Sequence, residues 1–364
     1  MTVDRKLYKI GEFSELLNVT PRTIRYYDQF GLLPQVKRSD GGVRLFDDED
    51  ISLIKKVRSL QKEKLLPLED IKKQLFNSDV ATPKSTVILT DTSCVLNNYN
   101  STICKILPMK AHLDKPLTEK AAQDTDQLWT LGVKRQIIPY FQHQSKKEIL
   151  KTLEKLAQDG IKTVFAIAPS TEFHSLYLLY EELSYSTNIP LNFHPINSAV
   201  FGSGTGLLID YIQSLIETEK SISEIKLSIS KMIPLLYQIG FTQSLDTFQA
   251  LNIVPKYPPL INKLTSFCPI YQIQNGSGTL DIVQCLPSYE KAIDYLYNTI
   301  THLITQRKKY LYKIVVSYSF FYAEATTLCN QLRQKYTNSE ILLCEVPASA
   351  STTLGPKSIN IAII

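Results

Sequence analysis

The sequence predicts an α/β multidomain protein: a small, mainly helical winged helix-turn-helix domain followed by a larger α/β part. Three observations predict it. Residues 20–34, TPRTIRYYDQFGLLP, set Arg22 and Arg25 three apart on a short helix that stops at a glycine. Residues i and i+3 are neighbours on a helix surface, so both arginines share one face, which Tyr26 extends. Residues 34–51, PQVKRSDGGVRLFDDEDI, place a glycine turn between two short extended runs. From residue 85 onward, apolar runs of strand length alternate with amphipathic helical ones, the order of an α/β sheet with helices on both faces.

In the first helical stretch, residues 10–17 (IGEFSELL), Ile10, Phe13, Leu16 and Leu17 fall at helical spacing, and Asn18 interrupts the pattern. Thr20 is placed as the N-cap of the next helix, Pro21 as its first residue, Ile24 as its inward anchor and Gly31 as its stop. Two short helices joined by a tight turn make a helix-turn-helix, whose second helix enters the major groove. Residues 40–42, Asp-Gly-Gly, read as the tip of a β-ribbon wing from which Arg38 and Arg44 reach a phosphate backbone. Asp47 then caps a third helix with Asp50 as its capping-box partner, and Ile51, Ile54, Val57 and Leu60 repeat at spacing three. A fourth short helix is expected in LPLEDIKKQLF. Residues 1–76 carry 15 basic and 12 acidic side chains, a mild excess of three positive charges.

The whole chain of 364 residues has a net charge of +5 and is 44% hydrophobic, so it carries proper cores and is not a nucleic-acid coat protein. Its six cysteines, Cys94, Cys104, Cys268, Cys285, Cys329 and Cys344, are scattered without a Cys-x-x-Cys pair, which fits reduced thiols rather than disulfides or zinc. With no apolar leader and no run long enough to span a membrane, the expected compartment is the cytoplasm.

Residues 8–76 resemble the DNA-binding domain of the MerR family of transcriptional regulators. The motifs are YKIGE at 8–12, RTIRYYD at 22–28, GLL at 31–33, a glycine wing, RLF at 44–46 and LEDI at 68–71. The resemblance implies that Thr23, Arg25 and Tyr26 approach DNA from the helix, and Arg38 and Arg44 from the wing; Thr20, at the helix start, and Arg22, on the same face as Arg25, complete the expected DNA-binding set. Phe13 and Tyr27 are expected in the core instead, and Arg25 has an intradomain ion pair as its alternative role. Such phosphate contacts position a protein without reading sequence. Two departures stand out. The family's wing tyrosines are Val43 and Phe46 here, and the long dimerisation helix that normally follows is missing. A homodimer must then form through the rest of the chain, or the protein binds DNA as a monomer.

Residues 77–84, NSDVATPK, are polar, carry a proline and read as a linker between a domain over 1–76 and one over 85–364. STVILTDTSCVL follows, a buried-strand run ending in a hydroxyl-rich turn, where open α/β sheets place ligand groups. KKEILKTLEKLAQDG, HSLYLLYEELSY and GTGLLIDYIQSLIETEK read as helices; TVFAIAPST, YKIVVSY and EILLCEV read as strands. Residues 202–206, GSGTG, lack the lysine of a P-loop and read as the start of a helix.

Residues 85–364 resemble the DegV family, whose better-known members bind fatty acids in a tunnel between two α/β lobes. The matching motifs are LTDTS at 89–93, AIAPST at 166–171, NSAVFGSGTGLL at 197–208, CPIY at 268–271 and TTLGP at 352–356. The resemblance implies a two-lobed α/β DegV-like domain and a carboxylate held by hydroxyls from two loops and a C-terminal histidine. Here the first loop reads PYFQHQS, with Phe141 and Gln142 in place of two hydroxyl residues. The second keeps Ser170 and Thr171 but continues into His174, and the C-terminal Thr-His-Thr has become Thr352, Thr353 and Leu354. Arginines that serve acyl presentation to a kinase fall at Ile253 and Pro287.

Burying about sixteen acyl carbons is worth roughly 12 kcal/mol gross at about 0.8 kcal/mol per methylene, against about 1.5–3 kcal/mol for one charge-assisted hydrogen bond. Chain burial dominates, yet a buried carboxylate still needs partners. The expected ligand residues are Ser170, Thr171, Thr352, Thr353, Phe141, His143 and His174, and a modified or uncharged lipid fits this set as well as a fatty acid. With neither a nucleophile elbow nor a metal-spaced cluster in the sequence, the expectation is a non-enzyme without metal or cofactor. The reading is a transcriptional regulator that binds double-stranded operator DNA, acts on RNA polymerase indirectly and senses a fatty acid or related apolar ligand. The alternatives are a DegV-type fatty-acid carrier with secondary DNA binding, and a regulator whose C-terminal module binds nothing.

Overall fold

Phe13 of helix α1 (Ile10–Leu16) and Ile24 and Tyr27 of α2 (Pro21–Gln29) are buried against one another, which makes the two helices a pair. The computed structural model describes residues 7–30, 32–33, 37–38, 44–64, 67–68, 71, 80–95, 100–113, 124–185, 189–243, 245–253, 267–307 and 313–364. Asn18 turns the chain between the helices in the left-handed region, φ 51°, a conformation asparagine tolerates well. Thr20 then caps α2, its Oγ1 accepting from the Thr23 N–H at 3.2 Å. The wing strands β2 (Lys37–Arg38) and β3 (Arg44–Phe46) pair antiparallel, and a short strand β1 (Tyr8–Lys9), unforeseen in the sequence, completes the order β1-β3-β2. The Phe46 ring stacks on Phe13 with centroids 4.3 Å apart. Helix α3 (Asp48–Lys64) starts from the expected capping box, with the Asp47 and Asp50 N–H groups each donating to the other's carboxylate at 3.0 and 3.2 Å. Ile54, Val57, Leu32, Leu33 and Ile71 close this core, and the Tyr27 hydroxyl donates to Gln61 at 3.0 Å. Gly31, residues 40–42, Val43, most of the fourth helix and residues 77–79 of the linker lie outside the described residues.

Two compact units divide the chain. One takes residues up to Thr82 together with Thr218–Ser230, and the other takes Pro83–Glu217 and Lys231–Ile364. Within the first, Val80 forms a β-bridge with Ser221 and the Ala81 N–H donates to the Lys220 carbonyl at 3.0 Å.

The second unit is built on two larger sheets. In the first lobe, the parallel sheet β5-β4-β8-β9 is centred on β4 (Thr86–Asp91) and β8 (Thr163–Ala168), both buried at every residue, as a strand covered on both faces must be. Its outer strands are β5 (Cys104–Leu107) and β9 (Asn192–Asn197), and β6 (Lys110–His112) and β7 (Tyr140–Gln142) pair antiparallel as a separate two-stranded sheet. Helix α4 (Thr125–Arg135) precedes β7. Helices α5 (Lys146–Gln158) and α6 (Leu176–Ser184) turn Ile149, Leu153, Leu156, Leu176 and Tyr180 onto the sheet.

The second lobe departs from the all-parallel expectation. Its six-stranded sheet has the order β12-β11-β10-β15-β13-β14, and among its neighbours only β13 (Lys313–Ser319) and β14 (Glu340–Glu345) run parallel. β11 (Cys268–Ile273) and β12 (Leu280–Leu286) are joined by a short turn, which antiparallel strands permit without a crossover helix. β15 (Ser358–Ile363) lies between β10 (Tyr237–Thr242) and β13, antiparallel to both. One face packs on α10 (Tyr289–Arg307) and α11 (Tyr322–Lys335) through a core that includes Ile239, Leu296, Leu328 and Ile361. Helix α7 (Ser203–Glu217) packs against β13 and β15 and also against β4 and β8 of the first lobe. A helix between two sheets has no solvent face at its start, so Ser203 to Ile209 are all buried, and the glycine-rich segment opens a helix as its spacing predicts. Most of α8 (Ile222–Met232) belongs to the first unit, and two short helices complete the second, α9 (Asp246–Ala250) and α12 (Ala348–Leu354).

Candidate functional site

On the exposed side of α2, Arg22 and Arg25 carry no hydrogen bond or ion pair among the described residues, and Tyr26 is 51% exposed with its hydroxyl free. Thr23 is half-buried, its Oγ1 2.9 Å from that of Thr20, so the two threonines hold the helix start. The expected ion-pair role of Arg25 falls instead to Arg44, whose guanidinium lies 2.6 Å from the Asp28 carboxylate. That contact ties wing to helix and offsets the charge expected to reach DNA. Arg38 sits opposite Arg44 in the wing register; its side chain lies outside the described ones. Arg22, Arg25 and Tyr26 therefore form one cationic and phenolic surface, chemistry that suits phosphate oxygens.

In the second unit a cavity of about 350 Å³ opens beside α12. Its walls are mainly apolar: Phe173 and Phe201 from loops after β8 and β9, Met109 between β5 and β6, Ile138, Pro139 and Phe141 at β7, and Ala250 and Leu251 at the end of α9. Polar atoms come from Ser93 after β4, from Thr247 on α9, and from Ser349, Thr352 and Thr353 on α12. A larger cleft of about 870 Å³ shares Met109, Phe141 and Ser349 with it. Both volumes fall in the range of small-molecule sites.

Of the sequence-predicted ligand residues, the structure brings Phe141, His174, Thr352 and Thr353 to this cavity. It does not bring Ser170 or Thr171. The Ser170 hydroxyl is buried and donates to the Gly278 carbonyl at 2.8 Å, linking the two lobes, and Thr171 is exposed. His143 stands one layer behind, its ring 5.3 Å from that of His174, its Nδ1–H donating to the Gln144 carbonyl at 2.8 Å and its Nε2 accepting from Ser175 at 3.0 Å.

Asp91 and Ser93 complete the arrangement, and sequence reasoning did not single them out. Asp91 ends β4 fully buried; its carboxylate accepts from the Ser93 N–H at 2.8 Å and from the Ser93 hydroxyl, and its other oxygen lies 3.6 Å from His174 Nε2. His174 Nδ1 accepts from the Leu176 N–H at 3.3 Å, so its proton sits on Nε2, toward Asp91. Burial pushes the His174 imidazolium below its usual range, with His143 adding to the effect and Asp91 opposing it. The signal for Asp91 was the LTDTS turn, whose acidic member was read only as part of a motif. Nearby, burial raises the Cys94 thiol well above its ordinary range, which removes it as a nucleophile near neutrality. Among the described residues no cluster of histidine, cysteine or carboxylate groups could hold a metal, and no helix is long and apolar enough to cross a membrane.

Residues 8–76 match the family described as "MerR HTH family regulatory protein", and residues 85–364 match the one described as "Uncharacterised protein, DegV family". Among curated proteins, the HTH-type transcriptional regulator YfmP of Bacillus subtilis is 45% identical over 51 residues, 14% of this chain and 36% of the relative. The regulator ZntR of Escherichia coli is 38% identical over 52 residues, 14% of this chain and 37% of the relative. The chain thus spans little more than a third of the length of these relatives. A fatty acid binding DegV family protein from Streptococcus agalactiae superposes with a TM-score of 0.66 at 16% identity, covering 77% of this chain and 98% of its own. DegV of Bacillus subtilis, described as a fatty acid binding protein, superposes at 0.66 and 15% identity over 77% and 99%. At such identities the likeness speaks for the fold.

Proposed function

This chain belongs to the DegV family and carries a MerR-type helix-turn-helix at its amino end, and we propose that it is a DNA-binding transcriptional regulator whose DegV module senses a long-chain lipid. One observation carries the reading: a single chain joins a helix with Arg22, Arg25 and Tyr26 uncommitted among the described residues to a cavity walled by Phe141, Phe173, Phe201 and Leu251. The helix supplies phosphate contacts. The cavity supplies apolar burial, which at about 0.8 kcal/mol per methylene is enough to hold an acyl chain. The solved neighbours described as fatty acid binding support a long-chain lipid as the ligand of this module. Sensing requires the lipid to bind two DNA-competence states unequally, with a coupling of about 1–3 kcal/mol.

Neither residue at the positions of the kinase-presenting arginines, Ile253 and Pro287, is basic, so the carrier role has no support from them. A homodimer would place two such helices on a pseudo-palindromic duplex. The test selects a duplex from a random pool with the full-length protein, then measures its affinity before and after removal of co-purified lipid. A shift of about 5–150-fold in either direction is expected; equal affinity in both states refutes sensing.

A further inference from the structure

Three of the hydroxyl protons on the cavity wall are already committed. Ser93 Oγ donates to the Asp91 carboxylate, Ser349 Oγ to the Thr92 carbonyl at 2.6 Å, and Thr352 Oγ1 to the Ser349 carbonyl at 2.9 Å. A hydroxyl has one proton, so these three groups can only accept a hydrogen bond from a guest. The Thr353 and Tyr140 hydroxyls, which carry no hydrogen bond among the described residues, can donate or accept, and so can that of Thr247, buried without a partner among them in a residue only 3% exposed.

Charge runs the same way. Among the described residues His174 is the only basic side chain on the cavity wall, and burial favours its neutral form while its Nε2 faces Asp91. In the adjoining cleft Lys110 is paired with Glu148 at 2.7 Å, the His112 ring stacks on Tyr140, and the acids Asp124, Asp126 and Glu345 also line the wall. A carboxylate would enter with no unpaired lysine or arginine among the described lining residues and with Asp91 behind the His174 imidazole. A desolvated, unpaired anion is strongly disfavoured. A hydroxyl or amide head uses both kinds of wall group and brings no charge.

We infer that this cavity takes a long-chain lipid with an uncharged, hydrogen-bond-donating head group, such as a fatty alcohol or monoacylglycerol, rather than a fatty acid anion. The inference rests on the proposal that the cavity is the lipid site, and the experiment separates the two. Delipidated full-length protein is loaded with the neutral dye Nile red, which is displaced at pH 7.5 by 1-monolaurin, dodecanol or laurate. The neutral lipids are expected to act at concentrations at least about tenfold lower than laurate, the gap closing as pH falls toward 5 and the acid takes up its proton. Leu251→Arg, which adds a cation to the wall, should strengthen laurate at least about tenfold and leave monolaurin behind it. Thr353→Val should weaken monolaurin several-fold. Laurate equal to or better than monolaurin at pH 7.5 overturns the head-group inference and leaves the lipid site standing. No dye binding, and no lipid retained by mass spectrometry, overturns both. Should Leu251→Arg not fold, the pH series on the natural protein still decides.

Discussion

Replacing Arg25 by alanine removes one uncommitted positive charge from α2, and the consequence is best read in the salt dependence of DNA binding. Each phosphate neutralised contributes about 0.9 to the slope of log K against log salt. Between 50 and 200 mM salt one such contact accounts for about 0.9 × log 4, or about 0.5 log unit, roughly a 3.5-fold change. Arg22 and Arg25 are both exposed and unpartnered among the described residues, so Arg22→Ala and Arg25→Ala should each lower the slope by about 0.9. Arg44 differs. Its guanidinium is 2.6 Å from Asp28, so the pair presents almost no net charge, and the double variant Asp28→Ala/Arg44→Ala should leave the slope nearly unchanged. Fluorescence anisotropy with a selected duplex at four salt concentrations gives all the slopes. A parental slope for Arg25→Ala, or a loss in the double variant as large as that in Arg25→Ala, refutes this assignment of charge.

Three further outcomes are expected. Gly240→Ala would set its Cβ 2.6 Å from Asn360 Oδ1, 2.7 Å from the Tyr271 hydroxyl and 2.8 Å from the Ile359 carbonyl, so overpacking should destabilise the second lobe by about 1–3 kcal/mol in urea denaturation. Because the fold depresses the His174 pKa, the unfolded chain binds that proton more readily; stability should fall as pH drops through about 6.5, and His174→Gln should flatten that dependence. Trp129, the single tryptophan, donates from Nε1 to Ser351 on α12 at 3.0 Å, so filling the cavity should alter its emission; unchanged emission with lipid retained by mass spectrometry counts against α12 as the ligand wall.

What could be read from the sequence followed local physics. The first lobe's β4 and β8 announce themselves as unbroken apolar runs, and α5 by its apolar period and its Ser145–Glu148 cap, with hydrogen bonds of 2.8 and 3.4 Å. The second lobe's β10 and β15 do not. β10 carries Gln238, Gly240 and Thr242 on the face opposite Tyr237, Ile239 and Phe241, and β15 carries Ser358 and Asn360; all are buried. Alternation of this kind normally marks a strand with one wet face. Here β15 lies under α7 and Gln238 of β10 accepts from the Phe201 N–H just ahead of that helix, and nothing within either strand's own sequence indicates that cover. β1 was missed for a simpler reason: two residues form no pattern, and only the register Tyr8 to Phe46 defines them.

The site was legible where it is short-range and hidden where it is not. Thr352 and Thr353 lie on one helix, and a motif marks them. Asp91 meets His174 only because β4 and β8 are neighbours in the sheet, which sets the turn after one strand beside the loop after the other. That meeting reverses what the residue types imply singly: a histidine among hydroxyls looks like a carboxylate clamp, whereas a buried histidine whose proton faces an aspartate is not one. The same contact bears on sensing. An acyl chain's burial is non-directional and contributes nearly equally to any state that keeps the cavity closed, so gross lipid affinity shifts no equilibrium. Discrimination of about 1–3 kcal/mol must come from a few directional groups, and the free hydroxyl of Thr353 has the magnitude to supply it. A Thr353→Val protein that still binds lipid should therefore lose more of its lipid-dependent change in DNA affinity than of its lipid affinity. Equal fractional losses in the two measurements would place the switch elsewhere in the module.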